Sequence, residues 1–118
     1  TESILAEARE YLPNCDWLGD LYEGRTIWVS DRVIRESNFT GQEITSKFSI
    51  NFIKSNKSLA QLKHEMIQQV MGGEGTQNYT FKFSNREVSV DYKYKVFVFD
   101  GNRYIAAEAL RIDGETLT

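Results

Sequence analysis

The chain opens on an apolar stripe at helical spacing. In "SILAEAREYL", Ile4, Leu5, Ala8, Tyr11 and Leu12 recur three and four residues apart, with Glu7 and Glu10 off the stripe. That period predicts an amphipathic helix, and Pro13 stops it at about Leu12. The pattern then breaks. Asn14 to Arg25, with Gly19 and Gly24 as breakers, reads as a connector. "RTIWVSDRVI", Arg25 to Ile34, is rich in β-branched residues and reads as a strand. After a turn over Glu36 to Gln42, Ile44, Phe48, Ile50 and Phe52 point one way, and Thr45, Lys47, Ser49 and Asn51 the other. A period of two is the mark of a half-buried strand, and the two strands form a hairpin.

A second helix follows in "SLAQLKHEMIQQVMGG". Ser58 with Gln61 three residues on is a capping-box pattern. Leu59, Leu62, Met66, Ile67 and Val70 make the buried stripe, and Gly72 and Gly73 supply the stop. The last third is β-rich. Tyr79, Phe81 and Phe83 share a face, and Ser84 to Arg86 turn the chain. Val88, Val90, Tyr92, Tyr94, Val96 and Val98 form one face of the next strand. Its other face is polar at Ser89, Asp91, Lys93 and Lys95 and apolar at Phe97 and Phe99, so its far end is covered on both sides. Asp100 to Asn102 is a tight-turn signal. "RYIAAEALRI" returns as a strand, although its alanines would also suit a helix.

The expected order is therefore α-β-β-α-β-β-β. This is an α+β two-layer sandwich: a largely antiparallel five-stranded sheet with two helices collected on one face, residues 1–118 forming a single domain. Leu59, Leu62, Met66 and Val70 are expected on the sheet face that carries Phe48, Ile50 and Phe52.

Composition narrows the classes. Apolar residues at 41% supply a core, and the apolar runs fall far short of the roughly 20 residues that span a bilayer. No basic stretch leads into an apolar one, so no signal peptide is expected. A lone cysteine makes no internal disulfide, which suits a reducing, cytoplasmic setting. The net charge of −3 is uneven. Glu2, Glu7, Glu10, Asp16, Asp20 and Glu23 face a single base, Arg9, in the first 24 residues, and the rest of the chain is slightly basic.

Candidate chemistry is sparse. One histidine and one cysteine do not make a metal site, and no metal or cofactor is expected. His64 sits mid-helix on the polar side and reads as a surface residue. Cys15 reads as a packing residue beside Trp17. "GGEG", residues 72–75, follows a helix, so its glycines read as a stop signal and not as a phosphate loop. Sequons at Asn38, Asn56 and Asn78 read as coincidence in the absence of a signal peptide. Tyr79, Phe81, Phe83, Tyr92 and Tyr94, interleaved with Lys93 and Lys95, imitate a base-stacking sheet. Their alternation puts the tyrosines on the core side, however, and the net charge is negative, so nucleic acid is set aside.

This shortage of catalytic residue types leads to a non-enzymatic protein-binding module. The specific form is an inhibitor or immunity-type protein that neutralises a basic partner, such as a toxin. Asp16, Asp20 and Glu23 form the charged rim of its site, and Trp17 or Tyr22 the anchor, because tryptophan and tyrosine dominate binding hot spots and acidic groups speed association with a basic partner. An exposed strand edge would allow pairing with a second copy. The alternative is a small ligand-binding or enzymatic α+β cone with an apolar pocket between curved sheet and helices, lined by Trp28, Phe97 and Phe99.

Overall fold

The computed structural model describes residues 1–37, 57–83 and 86–116. The fold is α+β, with an antiparallel sheet and helices packed on it. Helix α1 (Glu2–Tyr11) buries Leu5 and Ala8. It ends where Leu12 turns extended and its N–H reaches the Ala8 carbonyl, just before Pro13.

The expected connector holds a strand. β1 (Trp17–Asp20) pairs with β2 (Arg25–Val29) on one side and with β5 (Asn102–Ile112) on the other. Four residues are too few to show a period of two, and half of the pairing lies far along the chain. A second correction follows. β2 stops at Val29, and Asp31–Ser37 form a short helix, α2. Ser30 makes the change, because its hydroxyl accepts the Val33 N–H at 3.2 Å and so caps the new helix. The strand expected over residues 44–53 lies outside the described residues.

α3 (Leu59–Gly72) carries the expected capping box between Ser58 and Gln61 and stops at Gly73, whose φ of 84° suits glycine. Leu62 and Gln69 are buried, and Met66 and Val70 half-buried. β3 (Glu74–Phe83) and β4 (Arg86–Phe99) follow, then β5 after a turn in which both Asp100 and Gly101 have positive φ. The sheet runs β2-β1-β5-β4-β3, and β6 (Glu115–Thr116) pairs with β5. Among the described residues, no helix is long and apolar enough to cross a membrane.

Each face of β4 carries part of the core, but its far end is not covered on both sides as expected, since Val98 is exposed. Phe97 is buried with Leu5, Ala8, Leu12, Cys15, Leu18, Tyr104 and Ala106 beneath α1, and Trp28 and Phe99 pack around this core. The opposite face holds Tyr94, Ile105 and Ala107, flanked by Trp17, Leu21, Tyr92 and Val96. α3 stands on that second side, where Gln69 bonds to Tyr79 and Tyr92. The helices therefore divide between the two faces, which differs from the expectation that both share one.

Candidate functional site

Between α3 and the sheet lies a cavity of about 700 Å³. Its floor is the face of β5 that carries Ile105, Ala107 and Ala109, with Trp17 on one side and Val88, Val90 and Tyr92 on the other. Its wall is α3, through Met66, Ile67, Gln69, Val70 and Met71. The hollow has a plain cause. The central strand bears alanines, and Ala107 sits in register between Trp17 on β1 and Tyr94 on β4. Small side chains between large ones leave a trough that α3 roofs.

A polar relay meets this apolar lining at Gln69 and Tyr92. The Gln69 amide donates to the Tyr79 hydroxyl at 3.2 Å, and that hydroxyl donates to Glu65 Oε2 at 3.1 Å. Glu65 in turn accepts from Lys57, which holds its carboxyl below the usual range. The Tyr92 hydroxyl reaches Gln69 Oε1 at 3.5 Å, the outer limit of a hydrogen bond. Burial pushes both phenols up, and for Tyr92 the neighbouring Tyr79 and Tyr94 add to it. Tyr92 therefore stays protonated, a neutral donor in an apolar setting.

The mouth is apolar and open. Met71 is 75% exposed, Ile67 56% and Tyr22 86%. All three line the cavity.

The residues proposed from sequence fall into three groups. Asp16 does not form a rim. It is 2% exposed, and its carboxylate accepts from Arg32 Nε and Nη2, Ser30 Oγ and the Ala109 N–H. Asp20 is also turned in, where it accepts the Tyr22 and Glu23 N–H groups at 2.8 and 3.1 Å and shapes the β1–β2 hairpin tip. Asp20 belongs to the chain's own turn, because a short carboxylate is the natural acceptor for orphan N–H groups there, whereas Asp16 serves the backbone of β5 at Ala109. Trp17 lies half-buried on the cavity floor, its indole N–H on Thr26 Oγ1 at 2.9 Å. Tyr22 and Glu23 remain outside, and Glu23 pairs with Arg25 at 2.5 Å.

Trp28, Phe97 and Phe99, expected around a pocket, pack on the α1 face instead. The cavity opens on the other side, since Val88, Val90 and Tyr92 of β4 line it and Phe97 and Phe99 point to the opposite face. Cys15 is buried on the α1 side, whereas His64 is exposed on α3 across the sheet, so the two do not meet. The described residues contain no group of three His, Cys, Asp or Glu side chains that could hold a metal ion. Ala107, Ala109, Gln69 and Arg103 of the cavity escape sequence reading. A run of alanines in a strand flanked by aromatic strands is the signal that points to them. No protein-family model and no curated protein matches the chain.

Proposed function

We propose that the protein binds an apolar small molecule in the cavity between α3 and the sheet. The observation that carries this reading is the cavity itself, with its carbon-rich lining, the polar groups of Gln69 and Tyr92 within it and the exposed Tyr22, Ile67 and Met71 among its lining residues. Its size lies within the range of small-molecule sites, which combine apolar walls with a few convergent polar groups. Binding would draw on hydrophobic burial.

The test is titration of the native protein with N-phenyl-naphthylamine, a neutral probe that fluoresces in apolar surroundings. Saturable enhancement is expected at micromolar probe. It should fall in Ala109→Leu and in Val70→Phe, each checked for folding by circular dichroism. Enhancement that is absent, or unchanged in both folded variants, removes the reading.

The inhibitor or immunity-type reading, in which the chain neutralises a basic partner, keeps a narrower base. What supports it is Tyr22, exposed on a hairpin tip beside Glu23. Asp16 and Asp20 no longer contribute, so the charge that would steer a basic partner is smaller than the sequence suggests. Loss of partner capture in Tyr22→Ala, with probe binding retained, would favour it.

A further inference from the structure

We propose that the ligand is a single-chain amphiphile with a carboxylate head, its head held by Arg103 at the mouth and its chain laid along β5. This deepens the apolar-ligand reading and rests on it. Two charged side chains line the cavity among the described residues, Asp16 and Arg103. Asp16 is fully engaged by Arg32, Ser30 and the Ala109 N–H. Arg103 pairs with no carboxylate among the described residues. Its neighbour Asn102 is committed to the Arg103 N–H and the Tyr104 hydroxyl, so it does not compete for the guanidinium.

The placement is directional. Arg103 begins β5 on the face that continues through Ile105, Ala107 and Ala109. At the rise of a strand, this row is about 20 Å long. A cation therefore stands at one end of a long apolar trough, and Arg103 is exposed enough to stay hydrated until a ligand arrives. A planar guanidinium matches a carboxylate with two parallel hydrogen bonds. A ligand with a cationic head would meet repulsion at the same point, and one with a neutral head would gain only the apolar contacts.

The experiment is displacement of N-phenyl-naphthylamine by dodecanoate, dodecanol and dodecylamine, each below its micelle concentration. The expected result is that dodecanoate displaces the probe at roughly one tenth of the dodecanol concentration, a difference of about 1.4 kcal/mol, and that dodecylamine is weakest. Arg103→Gln should abolish the preference for dodecanoate over dodecanol, while Arg103→Lys should keep part of it. Equal displacement by dodecanoate and dodecanol in the native protein overturns the proposal, as does a preference that survives Arg103→Gln. Both outcomes leave the apolar cavity reading standing. A native protein that binds no probe at all removes that reading and this one together.

Discussion

Arg32 grips Asp16 with two nitrogens, Nε on Oδ1 and Nη2 on Oδ2, each at 2.7 Å. The pair extends a strand with side chains. Asp16 N donates to the Ala107 carbonyl, as a strand residue would. One step on, the Asp16 carboxylate accepts the Ala109 N–H at 2.9 Å, and Arg32 donates to the Ala109 carbonyl at 3.1 Å. β5 thus stays satisfied beyond the end of β1, and α2 is tied to the sheet in the same stroke.

Asp16→Ala should therefore be costly. It strands the Ala109 N–H and leaves Arg32 without its counter-charge. Breaking a buried pair typically costs about 3–5 kcal/mol. Arg32 keeps some access to water, with 26% of its side chain exposed, so the lower end is expected. Asp16→Asn retains an acceptor and should cost less. Urea midpoints at constant slope measure both. An Asp16→Ala midpoint equal to that of the native protein would mean that the network adds nothing.

Gly19→Ala should disturb the cavity floor. A Cβ at residue 19 would lie 2.5 Å from the Trp17 ring. The indole must move, and its bond to Thr26 goes with it. Overpacking of this kind costs about 1–3 kcal/mol. Tryptophan emission should shift and probe binding weaken, whereas native-like emission would show that the ring had room.

Cys15 should be a slow thiol. It is buried beneath α1, and its Sγ–H donates to the Trp17 carbonyl at 3.3 Å. Burial raises its pKa, so the reactive thiolate is scarcer at neutral pH than in a free peptide. Labelling of the native protein with a thiol reagent should run well behind that of a cysteine peptide. Equal or faster labelling would place Cys15 in an open, activated setting.

Much of the fold is legible in local pattern, and most of the site is not. α3 is bounded by Ser58, Gln61 and Gly73, residues that act within a turn of themselves, so its limits can be read directly. The burial of Phe97 on one face of β4 and of Tyr94 on the other is likewise written in its alternation, but the expected double cover at the far end fails at Val98, which is 59% exposed. β1 is not legible, since it has four residues and half of its pairing is to β5. The fate of Asp16 is hidden for the same reason, because one of its donors, Ala109, lies 93 residues away. Read locally, Asp16 is an acid among acids. The cavity is harder still, since it consists of volume that Ala107 and Ala109 fail to fill. Which face keeps such a void depends on where α3 is laid.

Tyr92 gives the molecule an alkaline weakness whose sign can be worked out. Burial, then Tyr79 and Tyr94, raise its folded pKa above the ordinary value of about 10. The folded state therefore prefers the neutral phenol more strongly than the unfolded chain does. Below about pH 10 both states are protonated, and the contribution of Tyr92 to stability is fully present. Above that, the unfolded chain ionises first and is favoured, so the contribution is lost as pH rises towards the raised folded value. Tyr92→Phe cannot ionise. The stability of the native protein minus that of Tyr92→Phe should therefore fall between about pH 9 and about pH 11, while effects from Cys15 and the lysines cancel between the two. The variant also removes the weak bond to Gln69, which sets a constant offset but no slope in pH. Urea titrations of both proteins across that window provide the check. A difference that stays flat would show that the Tyr92 hydroxyl meets water in the folded state, and that the cavity floor is wetter than its lining implies.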